Sequence, residues 1–385
     1  MKIKVNRVEL AKALGDVLPA IPQKATLPIL NHVLLVVENI GNEIILSGTD
    51  LKTRVDTCVK CESEVDGCSI ALNAKKLDAV VNSFSGEIVN ITVKDLDVKV
   101  ECAKSTFKFK ALDGAEFPLK AEFEGTGFDV DYNTFKSFVG KTSFAASTDE
   151  MRPILNGVLW ELGEDDRGYE NIQANMDSEG TFMQMTATDG HRLSSAKSGL
   201  FDSVDFSSVG KALIDPKALK MAAKFFDTDF YVKVSANFVS FASGNRTLHT
   251  RLIDGEYVDW EQVVPANEIE VILNRVGLIQ ALKRSSIVAD NGLVNHSIYS
   301  FAEGVLSISV DDPLSGSQSL EEINFDGDAV TFEASYDNSY LISILQSFEG
   351  DVVTVKINDD PTRALTVHGE NTNQIGLVMP VRIKN

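Results

Sequence analysis

The sequence predicts an α+β fold made of three tandem copies of one unit, each a strand, a helix and three strands performed twice. Three observations carry this prediction. Six amphipathic helices recur at matching offsets, two short motifs repeat with shifts that differ by one insertion, and alternating or β-branched runs fill the intervals between helices.

Apolar residues spaced close to i, i+3, i+4, i+7 mark helices over 7–18, 74–84, 134–146, 216–226, 274–286 and 337–347. Aligning the first, third and fifth at Leu10, Phe135 and Leu278 gives offsets of 125 and 143, whereas Leu77, Leu219 and Leu341 of the others give 142 and 122. Pro28-Ile29-Leu30-Asn31 returns as Pro153-Ile154-Leu155-Asn156, a shift of 125, and Leu112-Asp113-Gly114 resembles Ile253-Asp254-Gly255, a shift of 141. The difference of 16 fits a polar, turn-rich insertion at about 164–180. Units of 1–122, 123–262 and 263–385 follow.

Strands are expected at Ile44–Leu46, Val89–Val93, Val98–Cys102, Tyr231–Val234, Leu306–Val310 and Val352–Ile357. Their connections are too short for parallel crossovers, so antiparallel sheets with helices packed on one face are the natural architecture. Repeats build either a solenoid or a closed ring, and three large units are few for a solenoid.

The 385 residues carry 44% apolar residues and no apolar run of about 20, which excludes a bilayer-spanning helix; the start, Met1-Lys2-Ile3-Lys4-Val5, lacks the apolar run of a signal peptide. A cytoplasmic protein without a membrane partner is expected. Cys58 and Cys61 form a C-x-x-C, but in a strand that odd spacing sends them to opposite faces, and reduced thiols fit better than a metal site.

The net charge of −20 taken alone argues against a nucleic-acid binder. Its distribution reverses that inference. The six helical segments hold 12 Lys or Arg against 4 Asp or Glu, so they carry +8 while the remainder carries −28. Lys217, Lys220 and Lys224 lie at i, i+3, i+7 on a face apart from Leu219, Ala222, Ala223 and Phe226. Helices sharing one side of a sheet would present a basic surface suited to a phosphate backbone, read without base specificity and sensitive to salt.

Catalytic motifs are sparse. Thr188-Asp189-Gly190-His191-Arg192-Leu193 offers an Asp-x-His pair, yet Thr49-Asp50-Leu51-Lys52 in the first unit keeps the Thr-Asp and loses the His, which points to a turn rather than chemistry. No catalytic residue, metal or cofactor is predicted. The apolar run Gly376-Leu377-Val378-Met379-Pro380-Val381-Arg382 reads either as a final core strand or as one wall of a groove for a partner's peptide.

Thr26-Leu27-Pro28-Ile29-Leu30, Gly48-Thr49-Asp50-Leu51, Arg152-Pro153-Ile154-Leu155-Asn156-Gly157, the Thr-Asp-Gly-His-Arg-Leu segment and Val378-Met379-Pro380-Val381-Arg382 together resemble the bacterial DNA polymerase III β subunit family, the processivity sliding clamps, or a phage-encoded version. The resemblance spans essentially the whole chain. It implies three DNA-clamp domains, a head-to-tail homodimeric ring with helices lining the lumen and sheets outside, and no enzymatic activity. Implied partners are double-stranded DNA, the polymerase III catalytic subunit, a clamp loader, and other proteins with clamp-binding motifs such as repair polymerases, ligase and mismatch repair factors.

By the same resemblance a peptide pocket is expected at Leu155, Thr188, Gly190, His191, Arg192 and Leu193, with Pro265, Tyr340, Val378, Met379, Pro380, Val381 and Arg382. Asp337 stands where the family commonly has Asn. Phe107 and Phe109 on one edge strand are expected to meet Ile287 and Val288 of a second chain, with Glu321 and Glu322 near Lys108 and Lys110. Lys24 and Lys75 match DNA-facing family positions; Lys12, Lys136, Lys141, Lys217, Lys220, Lys224, Lys283 and Arg284 are the helix candidates. Two competing expectations are a metal-dependent nuclease using Asp189 and His191, and an open monomeric adaptor.

Overall fold

A computed structural model describes residues 2–25, 27–37, 42–63, 67–121, 124–164, 181–201, 210–289, 296–312, 315–370 and 373–381. The insertion beyond Glu164 and Arg382 with its following residues lie outside them. Among the described residues the chain repeats strand, helix and three strands six times. The helices are α1 (Arg7–Val17), α2 (Ala74–Ser83), α3 (Tyr132–Thr142), α4 (Pro216–Phe225), α5 (Arg275–Ala289) and α6 (Asn338–Ser347).

Local chemistry sets the helix ends. Asn6 caps α1 by accepting from the amides of Val8 and Glu9, Asn73 caps α2 through Lys76, and Asp337 caps α6 through Ser339 and Tyr340. Two boundaries differ from the sequence expectation by three or more residues. Helix α3 stops at Thr142 rather than 146, because the hydroxyls of Thr142 and Ser143 donate back to the carbonyls of Phe138 and Val139 and the Ser194 hydroxyl takes the carbonyl of Lys141. Helix α5 runs on to Ala289, drawing Ile287 and Val288 into its last turn.

Contacts divide the chain into two units, Met1–Tyr132 with Met221–Leu252, and Asn133–Lys220 with Ile253–Asn385. The division runs through the second repeat because its strands continue the sheets of both other repeats. In the first unit Arg246–Arg251 pairs antiparallel with Thr53–Ser63, Leu248 opposite Val55. In the second, Arg192–Phe201 pairs with Gln374–Val378, Leu193 opposite Leu377.

Counting the six β-α-β-β-β copies in chain order, these pairings join the last strand of the first copy to that of the fourth, and of the third to that of the sixth. The remaining last strands are Ser105–Lys110 of the second copy and Ser317–Asn324 of the fifth. Among the described residues each has one neighbour, Asp97–Cys102 and Val305–Asp312 respectively, and an open edge.

Each unit has its own core. In the first, α1 packs beside α2, burying Leu10, Leu14, Leu77 and Val81. In the second, α5 packs beside α6 and buries Leu278, Leu282, Leu341 and Leu345 against Tyr299, Phe301, Leu306 and Val353. Truncating one such leucine to alanine costs roughly 2–5 kcal/mol. Gly376 is required where α6 approaches its strand, since a Cβ there would fall 2.3 Å from the Ile344 methyl. Cys58 is half-buried and Cys61 buried at its different strand position, and none of the four cysteines forms a disulfide.

Candidate functional site: an apolar cleft and two open edges

The Thr-Asp segments of the first two repeats fold into the same turn. Thr49 donates its hydroxyl to the Thr53 carbonyl at 2.8 Å while the Asp50 carboxylate accepts the amides of Lys52 and Thr53. In the second unit Thr188 donates to the Arg192 carbonyl at 2.7 Å, and Asp189 Oδ1 accepts the amides of His191 and Arg192, both at 2.9 Å. The residue after Asp has positive φ in each, 76° at Leu51 and 88° at Gly190.

What the second copy adds is a platform. The Arg192 guanidinium donates to Asp189 Oδ2 at 3.0 Å, the Ser343 hydroxyl at 2.6 Å and the Phe144 carbonyl at 3.0 Å, and lies over the rings of Tyr340 and Phe144. His191 stacks on Tyr340. Asp189 therefore spends one oxygen on backbone amides and the other on Arg192, an anchoring role that leaves it unsuited to hold a catalytic metal. The nuclease expectation fails on this geometry.

Beside this platform lies a cleft of about 540 Å³. Leu193 and Leu377 form part of its floor and pack with Leu159, Leu213, Trp260 and Ala364. Leu155, Thr188, Gly190, His191, Arg192, Pro265 and Met379 also line it. The Met379 amide donates to the His191 carbonyl at 2.8 Å, fastening the chain's last strand to the platform, and the Val381 amide donates to the Ser335 carbonyl at 2.7 Å. Tyr257 lies behind Thr188, accepting its amide at 3.0 Å; burial pushes this phenol up to about 12.

Four expected pocket residues fall elsewhere, and a fifth is outside the described residues. Val378 is fully buried in the α5–α6 core, because strand alternation sends it to the face opposite Leu377. Tyr340 supports the cleft from beneath His191 rather than lining it. Pro380 and Val381 run past the rim toward Ser335, and Arg382 is outside the described residues. Leu377 was passed over in favour of Val378, and Val258, Gln262, Val263, Thr362, Arg363 and Ala364 were missed. Those six come from two loops without periodicity; the one available signal was the apolar Val258, Trp260 and Val263 in a polar stretch.

Asp337, which stands where the family commonly has Asn, uses its carboxylate on the amides of Ser339 and Tyr340 and on the Ser339 hydroxyl.

Of the cationic candidates, Lys12, Lys24, Lys75 and Lys224 are exposed in the first unit, and Lys136, Lys217, Lys220, Lys283 and Arg284 in the second. Two need correction. Lys141 is largely covered, its side chain 17% exposed and 3.7 Å from Glu349. Arg284 spends its guanidinium on both oxygens of Glu321, which also removes Glu321 from the lysines it was expected to meet.

The open edges are chemically distinct. Ser105–Lys110 alternates Phe107 and Phe109 with Lys108 and Lys110, and Phe107 is 39% exposed. Ser317–Asn324 carries Leu320, Glu321 and Glu322, and Ile287 at the end of α5 is 76% exposed. Lys110 already pairs with Asp97 at 2.9 Å, whereas Lys108 is exposed.

Models of the N-terminal, central and C-terminal domains of the DNA polymerase III beta subunit match residues 1–121, 129–259 and 261–382. The chain is 25% identical over 389 residues to the beta sliding clamp of Pseudomonas aeruginosa, covering 100% of both chains. It is 25% identical over 398 residues to that of Staphylococcus epidermidis, covering 99% of each. Among solved structures it resembles the sliding clamp of Pseudomonas aeruginosa bound to griselimycin, with a TM-score of 0.89 at 25% identity. A DNA polymerase sliding clamp from Bacillus subtilis gives 0.88 at 25%, and both matches cover all of each chain.

Proposed function

The chain belongs to the DNA polymerase III beta subunit family, and from that premise we propose that it is a sliding clamp: a non-enzymatic processivity factor that closes as a head-to-tail homodimer around duplex DNA. The observation that carries the closure is the pairing rule of the six copies. First joins fourth, third joins fifth's successor, the sixth, and the same step takes the fifth copy to the second copy of another chain. The edges left over are those two, Ser317–Asn324 and Ser105–Lys110. A heterologous contact of this kind closes into a ring when its rotation allows.

The exposed lysines Lys12, Lys24, Lys75, Lys136, Lys217, Lys220, Lys224 and Lys283 supply the face toward DNA in this reading. Each contact is weak and salt-sensitive, so retention comes from enclosure rather than affinity. The acidic remainder of the −20 chain discourages phosphate elsewhere. The apolar cleft receives short motifs of the replicative polymerase, the clamp loader and other clamp-binding proteins, a concave and largely apolar site with few polar groups at its rim. Action on cytoplasmic DNA fits a chain in which no helix among the described residues is long and apolar enough to cross a membrane. We take the repeat boundaries at 1–122, 123–262 and 263–385.

Retention on DNA tests this reading. Loaded protein should stay on nicked circular DNA and leave within seconds once the circle is cut. Equal loss from both forms would favour the open adaptor and remove the topological function.

A further inference from the structure

Two of the junctions in the pairing rule lie within the chain, and both are built in one register. Thr57 and Ala196, each eight positions after the threonine of its Thr-Asp turn, stand opposite Arg246 and Gln374. Those two side chains make the same reach. Arg246 donates to the carbonyl of Phe225, the last residue of α4, at 2.8 Å, and Gln374 donates to the hydroxyl of Ser347, the last residue of α6, at 2.7 Å. An ion pair also crosses each internal junction from one helix position. Six residues after the aligned Leu10, Phe135 and Leu278 come Asp16, Lys141 and Arg284. Asp16 of the first copy takes Arg246 of the fourth at 2.9 Å, and Lys141 of the third lies 3.7 Å from Glu349 of the sixth. Arg284 of the fifth turns instead to Glu321 of its own copy.

Strand pairing carries this register over to the two open edges. His32 and His296 each pair with the residue that caps the next helix, Asn73 and Asp337. Two residues on, Leu34 pairs with Ser47 and Ser47 with Asp56, while Ile298 pairs with Ser309 and Ser309 with Leu320. Glu321 is thus the counterpart of Thr57. On the other edge Ser105 and Arg246 both open a last strand after a two-residue turn, paired with Cys102 and Ser243. Ser105 is thus the counterpart of Arg246, and Phe107 that of Leu248. Leu248 is fully buried where its junction is formed, whereas Phe107 is 39% exposed. Ser85, eight residues after Leu77, stands where Asp227 and Glu349 follow Leu219 and Leu341.

We infer that a second copy of this chain docks with Ser105 opposite Glu321, Phe107 opposite Ser319 and Phe109 opposite Ser317, and that this contact, unlike both internal junctions, has no ion pair crossing it on the helix side. The inference deepens the proposed closure and rests on it. Both positions that supply charge at the internal junctions are serine on this edge, Ser85 and Ser105, and Arg284 is held by Glu321 of its own copy. The register brings Glu322 beside Lys104 rather than Lys108 or Lys110, an exposed pair that contributes little. Recognition is left to the apolar faces of Phe107 and Phe109 and to the strand ladder, and the short side chain of Ser105 sets how firmly the contact holds.

The test uses full-length protein labelled in two colours, with subunit exchange read by energy transfer. Ser105→Arg places a guanidinium opposite Glu321 and should slow exchange roughly three- to tenfold. Adding Ser105→Arg to Glu321→Gln should leave the rate of Glu321→Gln unchanged. Thr106→Cys with Leu320→Cys, directly opposite in this register, should cross-link between chains on mild oxidation. Lys110→Cys with Leu320→Cys, about four positions out of step on the same face, should not. Exchange that Ser105→Arg does not slow, a gain that survives Glu321→Gln, or cross-linking through Lys110→Cys overturns the inference and leaves the dimer standing. Sedimentation of the wild-type protein as a monomer overturns the closure and this inference together.

Discussion

The guanidinium of Arg192 lies 4.9 Å from the centre of the Tyr340 ring, and the imidazole of the preceding residue, His191, stacks on that same ring at 5.8 Å with the planes 11° apart. One aromatic side chain on α6 thus supports two consecutive residues of a turn 148 and 149 positions earlier. Arg192 is 18% exposed and reaches three acceptors at once. Lysine keeps the charge and cannot reproduce the fork. Arg192→Lys should destabilise the surrounding unit by about 2 kcal/mol and weaken peptide binding. A thermal unfolding midpoint indistinguishable from wild type would show that the charge alone suffices.

The shared Thr-Asp turn makes a paired prediction. Both Leu51 and Gly190 have positive φ, but only one is glycine. Leu51→Gly should stabilise the protein by roughly 0.5–1 kcal/mol, because a side chain in the left-handed region costs about 1–2 kcal/mol and glycine gives back part of that gain through its freer unfolded chain. Gly190→Ala should lose about 1–2 kcal/mol by the same strain, with the Arg152 guanidinium 3.0 Å from the new Cβ as a second obstacle. Denaturant midpoints of the two variants should move in opposite directions.

Acid should loosen the fold through two histidines. Burial is the main cause that lowers both His249 and His368 from 6.5 to about 4; Lys120 adds to it for His249 and Lys356 for His368. The unfolded chain binds the extra protons first, so stability is fully present above 6.5 and falls as pH drops toward 4. Each group accounts for about 1–3 kcal/mol over that window. His368→Gln should flatten the pH dependence of the thermal midpoint between 4 and 6.5, and an unchanged slope would assign the acid sensitivity elsewhere.

Edge pairing should be separable from folding at Ile287, which is 76% exposed and contributes little to its own core. Ile287→Asp places a carboxylate in the contact proposed with Phe107 and Phe109 of a second chain. Sedimentation velocity at micromolar concentration should show the variant at half the wild-type mass with an unaltered far-ultraviolet spectrum. A persistent dimer would move the interface off these edges.

The helices were legible in the sequence because burial on one stripe imposes a 3.6-residue period, and strands such as Val352–Ile357 alternate for the same reason. The triplication was legible because Pro28–Asn31 and Pro153–Asn156 both form single 3-10 turns, so the repeated letters carry a repeated conformation. The cleft was only half legible. Its strand and turn residues announce themselves by motif, whereas Arg363 and Val258 arrive from loops whose positions are set by hydrogen bonds far along the chain. Val378 shows the opposite error: a motif read as a block ignores that neighbours in a strand face apart. Arg284 and Lys141 looked like solvent-facing cations by composition, and only folding reveals Glu321 and Glu349 beside them.

The hydroxyls of Thr53 and Thr250 meet at 3.0 Å across strands whose residues are 197 positions apart. On a ribosome adding about 5–20 residues per second, the strand around Thr53 emerges roughly 10–40 seconds before its mate. For that interval a nascent chain displays a bare hydrogen-bonding margin, the kind of surface that captures a neighbouring polypeptide on the same message. A protein built to end with two open margins must first survive the premature exposure of two more, Thr53–Ser63 and Arg192–Phe201, each bare until its mate is made.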